Sequence, residues 1–138
     1  RLTRWLLTRS HPDPKTWAEV VLTLADDDGI TPVNIAVFAR HRTTDVISAT
    51  YQPMPGESRG HAEVFVNVER AWKIGRTAGG ASRELALYIA HGCQHLTGAS
   101  DHTPRLRAAM RRKERAWLRE ADDLGYIAGL TGGVKSTG

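Results

Sequence analysis

The sequence predicts an α+β fold in which helices pack against a small mixed β-sheet. Two observations predict it: β-branched apolar runs of strand length lie in the first half of the chain, and the second half shows helical periodicity. The elements follow the order helix, strand, helix, two strands and three helices. The chain has 138 residues and no internal repeat, so residues 1–138 are expected to form a single domain.

Composition limits the classes of function. A hydrophobic fraction of 41% and a charged fraction of 25% are typical of soluble globular proteins, and no apolar run approaches the roughly 18 residues of a membrane helix. The N-terminal apolar stretch is too short and broken for a signal peptide. A single cysteine excludes an internal disulfide and fits a cytoplasmic location. The net charge of +4 permits a polyanionic partner, although surplus surface arginines explain it equally well.

The first elements are a helix and a strand. Residues 2–7 form the end of an amphipathic helix, and the prolines of HPDP, residues 11–14, break it because each fixes its own φ. The run WAEVVLTL predicts a strand of about eight residues from Trp17. The DDDG that follows, residues 26–29, is a turn signal and predicts a solvated loop; a metal site of carboxylates is the less common alternative.

A second helix and two further strands come next. Pro32 suits the first turn of a short helix that runs to about Arg40, with Thr31 as its N-cap. Residues 43–51 and 61–68 have the composition of strands, and the proline-containing segment between them has the composition of a loop.

Two helices follow the sheet. A short one, with the sequence ERAWKIG, ends at Gly75. The chain is predicted to break at Gly79–Gly80, and a longer helix then begins with Ser82 as its N-cap. The apolar residues of this longer helix predict that much of it is buried, and Gly98 is its predicted C′ residue.

The last helix begins at Thr103–Pro104 and ends at Gly125. Its predicted inner stripe comprises Leu106, Met110, Trp117, Ala121 and Leu124. Its basic residues are Arg105, Arg107, Arg111, Arg112, Lys113, Arg115 and Arg119. This basic surface could bind the phosphates of a nucleic acid, or it could be an ordinary solvated face. Residues from about 126 to 138 are small and polar and are predicted to form a flexible tail.

The main functional signal is a pair of histidines four residues apart near the end of the longer helix. His91 and His95 lie on one face, one turn apart, so both imidazoles can point at a common centre. Gly98 allows the chain to reverse and bring back a third donor, either Asp101 or His102. Three such donors are typical of a catalytic zinc site with one position left for water. The alternative is two histidines at a helix end that only cap or pack.

The residues between the histidines narrow the chemistry. In HExxH metalloproteases a glutamate follows the first histidine and acts as general base. That position is Gly92 here, which argues against a peptidase of this class. Cys93 points away from the shared face of the histidines and is predicted to be a small buried side chain. No catalytic side chain is therefore assigned, and a metal-bound water is expected to act.

The segment HGCQHLTGASD resembles the H-G-x-x-H-L-x-G-x-D-H motif of the YbeY family, bacterial rRNA maturation factors that are metal-dependent endoribonucleases. His91 and His95 match the first two ligand positions, and Asp101 matches the third, where the family usually has histidine. TDVISA, residues 44–49, is similar to the family's T-D-V-L-S-F, and GHAEVFVNVERA is similar to its following strand and helix. The resemblance covers about residues 17–124.

Three departures from the family pattern stand out. Ala49 replaces a phenylalanine, Gln94 replaces a leucine, and Phe38 replaces an arginine six residues ahead of the T-D-V threonine. Arg40 and Arg42 are near enough to substitute for that arginine, and Arg42 is the candidate supporting residue.

The resemblance implies a zincin-like Zn²⁺ site on a central helix. It also implies an endoribonuclease that is specific for single-stranded RNA. Such an enzyme acts in the cytoplasm, in 3′ end maturation of small-subunit ribosomal RNA and in ribosome quality control. The alternative is a non-catalytic module that keeps the fold and binds RNA or the ribosome.

Overall fold

The computed structural model describes residues 1–10 and 17–132, so the predicted breaker at residues 11–14 lies outside the described residues. The described part contains five helices and a three-stranded sheet, in the predicted order, which confirms the α+β class. The elements are α1 Leu2–Ser10, β1 Trp17–Ala25, α2 Asp27–Phe38, β2 Val46–Tyr51, β3 Gly60–Asn67, α3 Val68–Gly75, α4 Ala78–Leu96 and α5 Pro104–Asp123. No helix among the described residues is both long enough and apolar enough to cross a membrane.

The sheet is mixed, as predicted. Its strand order is β1-β3-β2, with β1 parallel and β2 antiparallel to the central β3. Alternate residues of β3 are buried on one face, and Val64 and Val66 belong to the same core cluster as Leu85 and Ile89 of α4. The centre of the core is therefore the layer between β3 and α4, and α4 is fixed against the sheet.

The acidic triplet begins a helix and does not form the predicted loop. Asp26 is the N-cap of α2, and its carboxylate accepts a 2.7 Å hydrogen bond from the Gly29 amide. Thr31, the predicted cap, lies inside α2 and donates to the Asp27 carbonyl at 2.7 Å. The predicted loop was wrong because aspartate is common both in turns and at helix N-termini, and the helix dipole stabilises carboxylates at the N-terminus.

The start of α4 also differs from the prediction. Thr77, not Ser82, is the N-cap and accepts a 3.0 Å hydrogen bond from the Gly80 amide, so Gly79–Gly80 lies in the first helical turn. A Cβ on Gly80 would lie 2.3 Å from the Gly75 carbonyl oxygen. The glycine is therefore required by the close approach of α3 and α4 rather than by a break in the chain.

The segment after α5 packs against α4 as far as it is described. Thr131 is buried, and its hydroxyl donates to the Ala78 carbonyl at 2.9 Å. Its amide donates to the Ser82 hydroxyl at 3.1 Å, and the two hydroxyl oxygens are 2.9 Å apart. Ile127 is buried as well. The predicted tail thus packs against the fold where it is described, at Ile127 and Thr131, and residues 133–138 lie outside the described part. Its flexibility stays a prediction.

The inner face of α5 differs from the predicted stripe at both ends. Leu106 and Leu124 are 41% and 51% exposed, whereas Met110 and Ala121 are buried as predicted. Glu114 takes a place in the stripe instead and is 3% exposed. A buried carboxylate must be hydrogen-bonded, and its partners lie in the candidate site.

Candidate metal centre and its grooves

Three donor atoms converge at the C-terminal end of α4. The Nε2 atoms of His91 and His95 are 3.0 Å apart. The Oδ2 atom of Asp101 lies 3.6 Å from Nε2 of His95 and 4.0 Å from Nε2 of His91. All three donors fall within 4.8 Å of one another. This arrangement can hold one metal ion with three protein ligands.

Asp101 reaches the histidines because of the way in which α4 ends. Gly98 has a φ of 94°, its amide donates to the His95 carbonyl at 3.1 Å, and the Ala99 amide donates to the Gln94 carbonyl at 3.0 Å. These two bonds form a Schellman motif, which confirms Gly98 as the C′ residue and reverses the chain. The reversal brings Asp101 back to the histidines, whereas His102 is exposed and outside the convergent group.

The histidine rings are oriented by hydrogen bonds at the opposite nitrogen. His91 Nδ1 lies 2.7 Å from the Glu114 carboxylate, and His95 Nδ1 lies 3.1 Å from the Ala99 carbonyl oxygen. Because both partners are acceptors, each Nδ1 carries the proton and donates it, which leaves Nε2 with a lone pair. Metal-binding histidines in proteins are held in this way. The chemistry of the donor set therefore fits a metal ion.

Glu114 joins α5 to the site. Its Oε1 atom also accepts a 2.9 Å hydrogen bond from the Gln94 amide group, which donates to the Met110 carbonyl at 3.2 Å as well. The hydrogen bond that His91 donates to Glu114 raises the pKa of His91, and burial of the ring opposes that effect. Sequence reasoning missed Glu114; its position four residues after Met110, in the inner stripe, was the available signal.

Gly92 and Cys93 lie behind the histidines, toward the core. A Cβ on Gly92 would lie 2.6 Å from Val64 Cγ1, and the Gly92 carbonyl accepts a 2.9 Å hydrogen bond from the Ser48 hydroxyl. Position 92 thus faces the sheet and has no room for a side chain. Cys93 is fully buried, as predicted, and burial raises the pKa of its thiol to about 12.

Comparison of the sequence with known proteins identifies its family. The sequence profile described as Endoribonuclease YbeY matches residues 2–122. The chain belongs to the YbeY family. Similar proteins include the Endoribonuclease YbeY of Elusimicrobium minutum, 35% identical over 96 residues, which are 67% of this chain and 66% of that protein.

Two other YbeY proteins show the same likeness. The Endoribonuclease YbeY of Rhodopirellula baltica is 34% identical over 102 residues, which are 72% of this chain and 52% of that protein. The Endoribonuclease YbeY of Anaeromyxobacter dehalogenans is 32% identical over 108 residues, which are 78% of this chain and 55% of that protein. The chain therefore spans about half to two thirds of the length of these YbeY relatives.

Two grooves meet at the convergent donors of this YbeY family member. The first, here called the loop groove, has a volume of about 590 Å³ and lies between the end of α4 and the segment after α2. Its walls include Phe38, Arg40, Arg42, Thr44 and Ser48, together with the three donor residues. The residue at the family's arginine position, Phe38, and both candidate substitutes are thus brought to the site.

The second groove, here called the helix groove, has a volume of about 320 Å³ and lies between α4 and α5. Arg107, Arg111 and Arg115 line it, together with His91 and Asp101. The other basic residues of α5, among them Arg105 and Arg112, do not line it. Of the basic residues of α5, only Arg107, Arg111 and Arg115 therefore line the helix groove.

Proposed function

We propose that this chain is a zinc-dependent endoribonuclease that cleaves single-stranded RNA. It acts in the cytoplasm, in 3′ end maturation of small-subunit ribosomal RNA and in ribosome quality control. The observation that carries the proposal is the convergence of His91, His95 and Asp101 at one point. Membership of a family whose relatives are named endoribonucleases supports the same reaction class.

The chain's own residues prepare the site for that reaction. When bound, a zinc ion supplies a Lewis acid that polarises a phosphodiester and lowers the pKa of water to about 7. His91, His95 and Asp101 would hold it, and Glu114 and the Ala99 carbonyl keep both imidazoles turned toward it. Gly92 occupies the position at which HExxH metalloproteases have their general-base glutamate, and it packs against the sheet, so this position supplies no base.

The helix groove supports an RNA substrate. Arg107, Arg111 and Arg115 repeat every four residues, about 6 Å along the helix, beside the donors. Arg107 donates to the Asp101 carbonyl at 3.0 Å. Within the described part of the chain, neither Arg111 nor Arg115 forms an ion pair, although Glu114 lies in the same groove. Such arginines can bind successive backbone phosphates, and Arg42 adds a cation in the loop groove.

Metal analysis and a cleavage assay test the proposal together. The purified chain should carry about one zinc ion, and labelled single-stranded RNA should be cut in a reaction that a chelator stops and zinc restores. His91→Ala combined with His95→Ala, and separately Asp101→Ala, should lose both properties. His61→Gln, which changes a histidine paired with Glu57 outside both grooves, should keep them. The proposal is contradicted if the chain binds no zinc, or if the chelator does not reduce RNA cleavage.

The alternative function is a non-catalytic module that binds RNA or the ribosome. The specific observation in its favour is Phe38, which stands in the loop groove at the position where the family has arginine. RNA binding by a zinc-loaded chain without chelator-sensitive cleavage would support this alternative. If Phe38→Arg then restored cleavage, the absence of the family's arginine would explain why the wild-type chain does not cleave.

A further inference from the structure

The loop groove contains an exposed aromatic ring next to a guanidinium group. Phe38 is the last residue of α2 and is 49% exposed. The guanidinium carbon of Arg40 lies 5.7 Å from the centroid of the Phe38 ring, and both residues line the groove that contains His91 and His95. A large apolar ring left half exposed loses part of the free energy of burial. Isolated exposed apolar residues are common, so the position of this one in the groove is the informative point.

The pair is presented on a segment that is held by hydrogen bonds. Ala39 has a left-handed conformation with a φ of 54°, and its amide donates to the Ile35 carbonyl at 2.9 Å. This conformation turns the chain sharply after α2. Asn34, 2% exposed, donates from its side chain to the Arg42 carbonyl at 2.8 Å. The turn that carries Arg40 is therefore anchored at both ends, which limits the ordering cost of binding a ligand.

We propose that Phe38 and Arg40 form a stacking site for one nucleobase of single-stranded RNA, beside the metal centre. The inference rests on the proposed function, because the loop groove leads to the donors. Aromatic faces and guanidinium planes are the groups on which unpaired bases stack. Arg40 and Arg42 add positive charge for the adjoining phosphates. An exposed ring that contacts Arg40, in a groove that Arg42 also lines, suits a base with its phosphate better than an apolar partner.

Equilibrium binding tests the stacking site without requiring cleavage. Fluorescence anisotropy would measure the affinity of the full chain for a labelled oligoadenylate in the presence of a chelator. The measurement would be repeated with zinc and a 2′-O-methyl oligoadenylate. Phe38→Ala should weaken binding about 10- to 100-fold, whereas Phe38→Trp should retain it. The matched control is Val37→Ala, which shortens the neighbouring exposed apolar residue outside the groove and should change affinity by less than about twofold.

Two further comparisons decide what the ring contributes. Phe38→Leu keeps an apolar side chain without an aromatic face, so it should bind as weakly as Phe38→Ala. An abasic strand of equal length should bind wild type and Phe38→Ala alike. The stacking site is overturned if Phe38→Ala or Phe38→Leu binds as wild type does, or if Val37→Ala loses as much affinity. If the chain binds RNA as predicted but never cleaves it, only the nuclease proposal is overturned. Failure of the stacking site and failure of the nuclease proposal can therefore be distinguished.

Discussion

At the level of single residues, the two histidines of the site are held by different partners. His95 donates to a backbone carbonyl that the helix end itself supplies, whereas His91 depends on the buried carboxylate of Glu114 from another helix. Glu114 is also the acceptor for Gln94, the residue that replaces the family's leucine. A hydrogen bond to a charged acceptor is stronger than one to a neutral acceptor. Glu114 is therefore expected to affect the binding of a metal ion without contacting it.

Replacing Glu114 by glutamine tests this role. The amide keeps the shape of the side chain but loses its charge, so zinc affinity should fall about 10- to 100-fold. Competition with a chromophoric chelator measures the affinity directly. Glu120→Gln makes the same change on the exposed side of α5, at a residue paired with Arg9, and should leave the affinity unchanged. Equal zinc affinities for wild type and Glu114→Gln would rule out the positioning role.

At the level of elements, α4 is placed by how closely it approaches the sheet. Gly92 lies against Val64 of β3 and Ser48 of β2, and it sits immediately after the first histidine of the site. Protein cores are packed densely, so the helix cannot accept added volume here without moving. The position of His91 relative to Asp101 and Glu114 is therefore tied to a contact on the opposite face of the helix.

Gly92→Ala should lower the free energy of unfolding by about 1–3 kcal/mol because its Cβ overlaps the stiff side chain of Val64. Zinc affinity should fall with it, since α4 must shift away from the sheet. Gly79→Ala is the control within the same helix: no atom lies within 4 Å of its added Cβ, so stability should be unchanged or slightly raised. Urea unfolding compares the variants, and similar losses in both would contradict the packing argument.

At the level of the whole molecule, Asp27 links two helices to the end of the sheet. Its carboxylate accepts hydrogen bonds from Asn67 at 2.6 Å, Thr43 at 3.0 Å and Lys73 at 3.1 Å. Its own amide donates to Glu69 of α3 at 3.0 Å. The bond from Asn67, helped by Lys73 and Thr43, lowers the pKa of Asp27 to about 2, while partial burial opposes the shift.

The free energy of unfolding should therefore depend on pH because of Asp27. Because the pKa of Asp27 falls from 3.8 in the unfolded chain to about 2 on folding, its contribution is present above pH 3.8 and is lost as the pH falls toward 2. The difference in free energy of unfolding between wild type and Asp27→Asn should be largest near pH 6 and shrink below pH 4. Asp28→Asn, which changes an exposed neighbouring side chain, is the matched control, and an equal trend in both variants would contradict the role of Asp27. Urea unfolding across this pH range measures it.

Local patterns were sufficient for the features that depend on neighbours in sequence. Helical and strand periodicity predicted the α+β class and the element order, because each period reflects which face of one segment is buried. The spacing of His91, His95 and Gly98 predicted that a third donor returns to the histidines, since a helical turn and a glycine reversal are local geometry. It left Asp101 and His102 open, and the folded loop brings Asp101 to the histidines. The identification of these residues as metal ligands stays a prediction that zinc binding must test.

Tertiary structure alone decided the features that join distant segments. The burial of Glu114 against His91 and of Thr131 against Ser82 requires contacts across 23 and 49 residues, which no local period records. The roles of Asp26 and Gly79–Gly80 were ambiguous for a related reason: the same residue types suit turns and helix starts, and packing chose between them. The sequence by itself determined the segments and the spacing of the donors, whereas the packing of α4 between the sheet and α5 decided which polar groups became buried and shaped the two grooves.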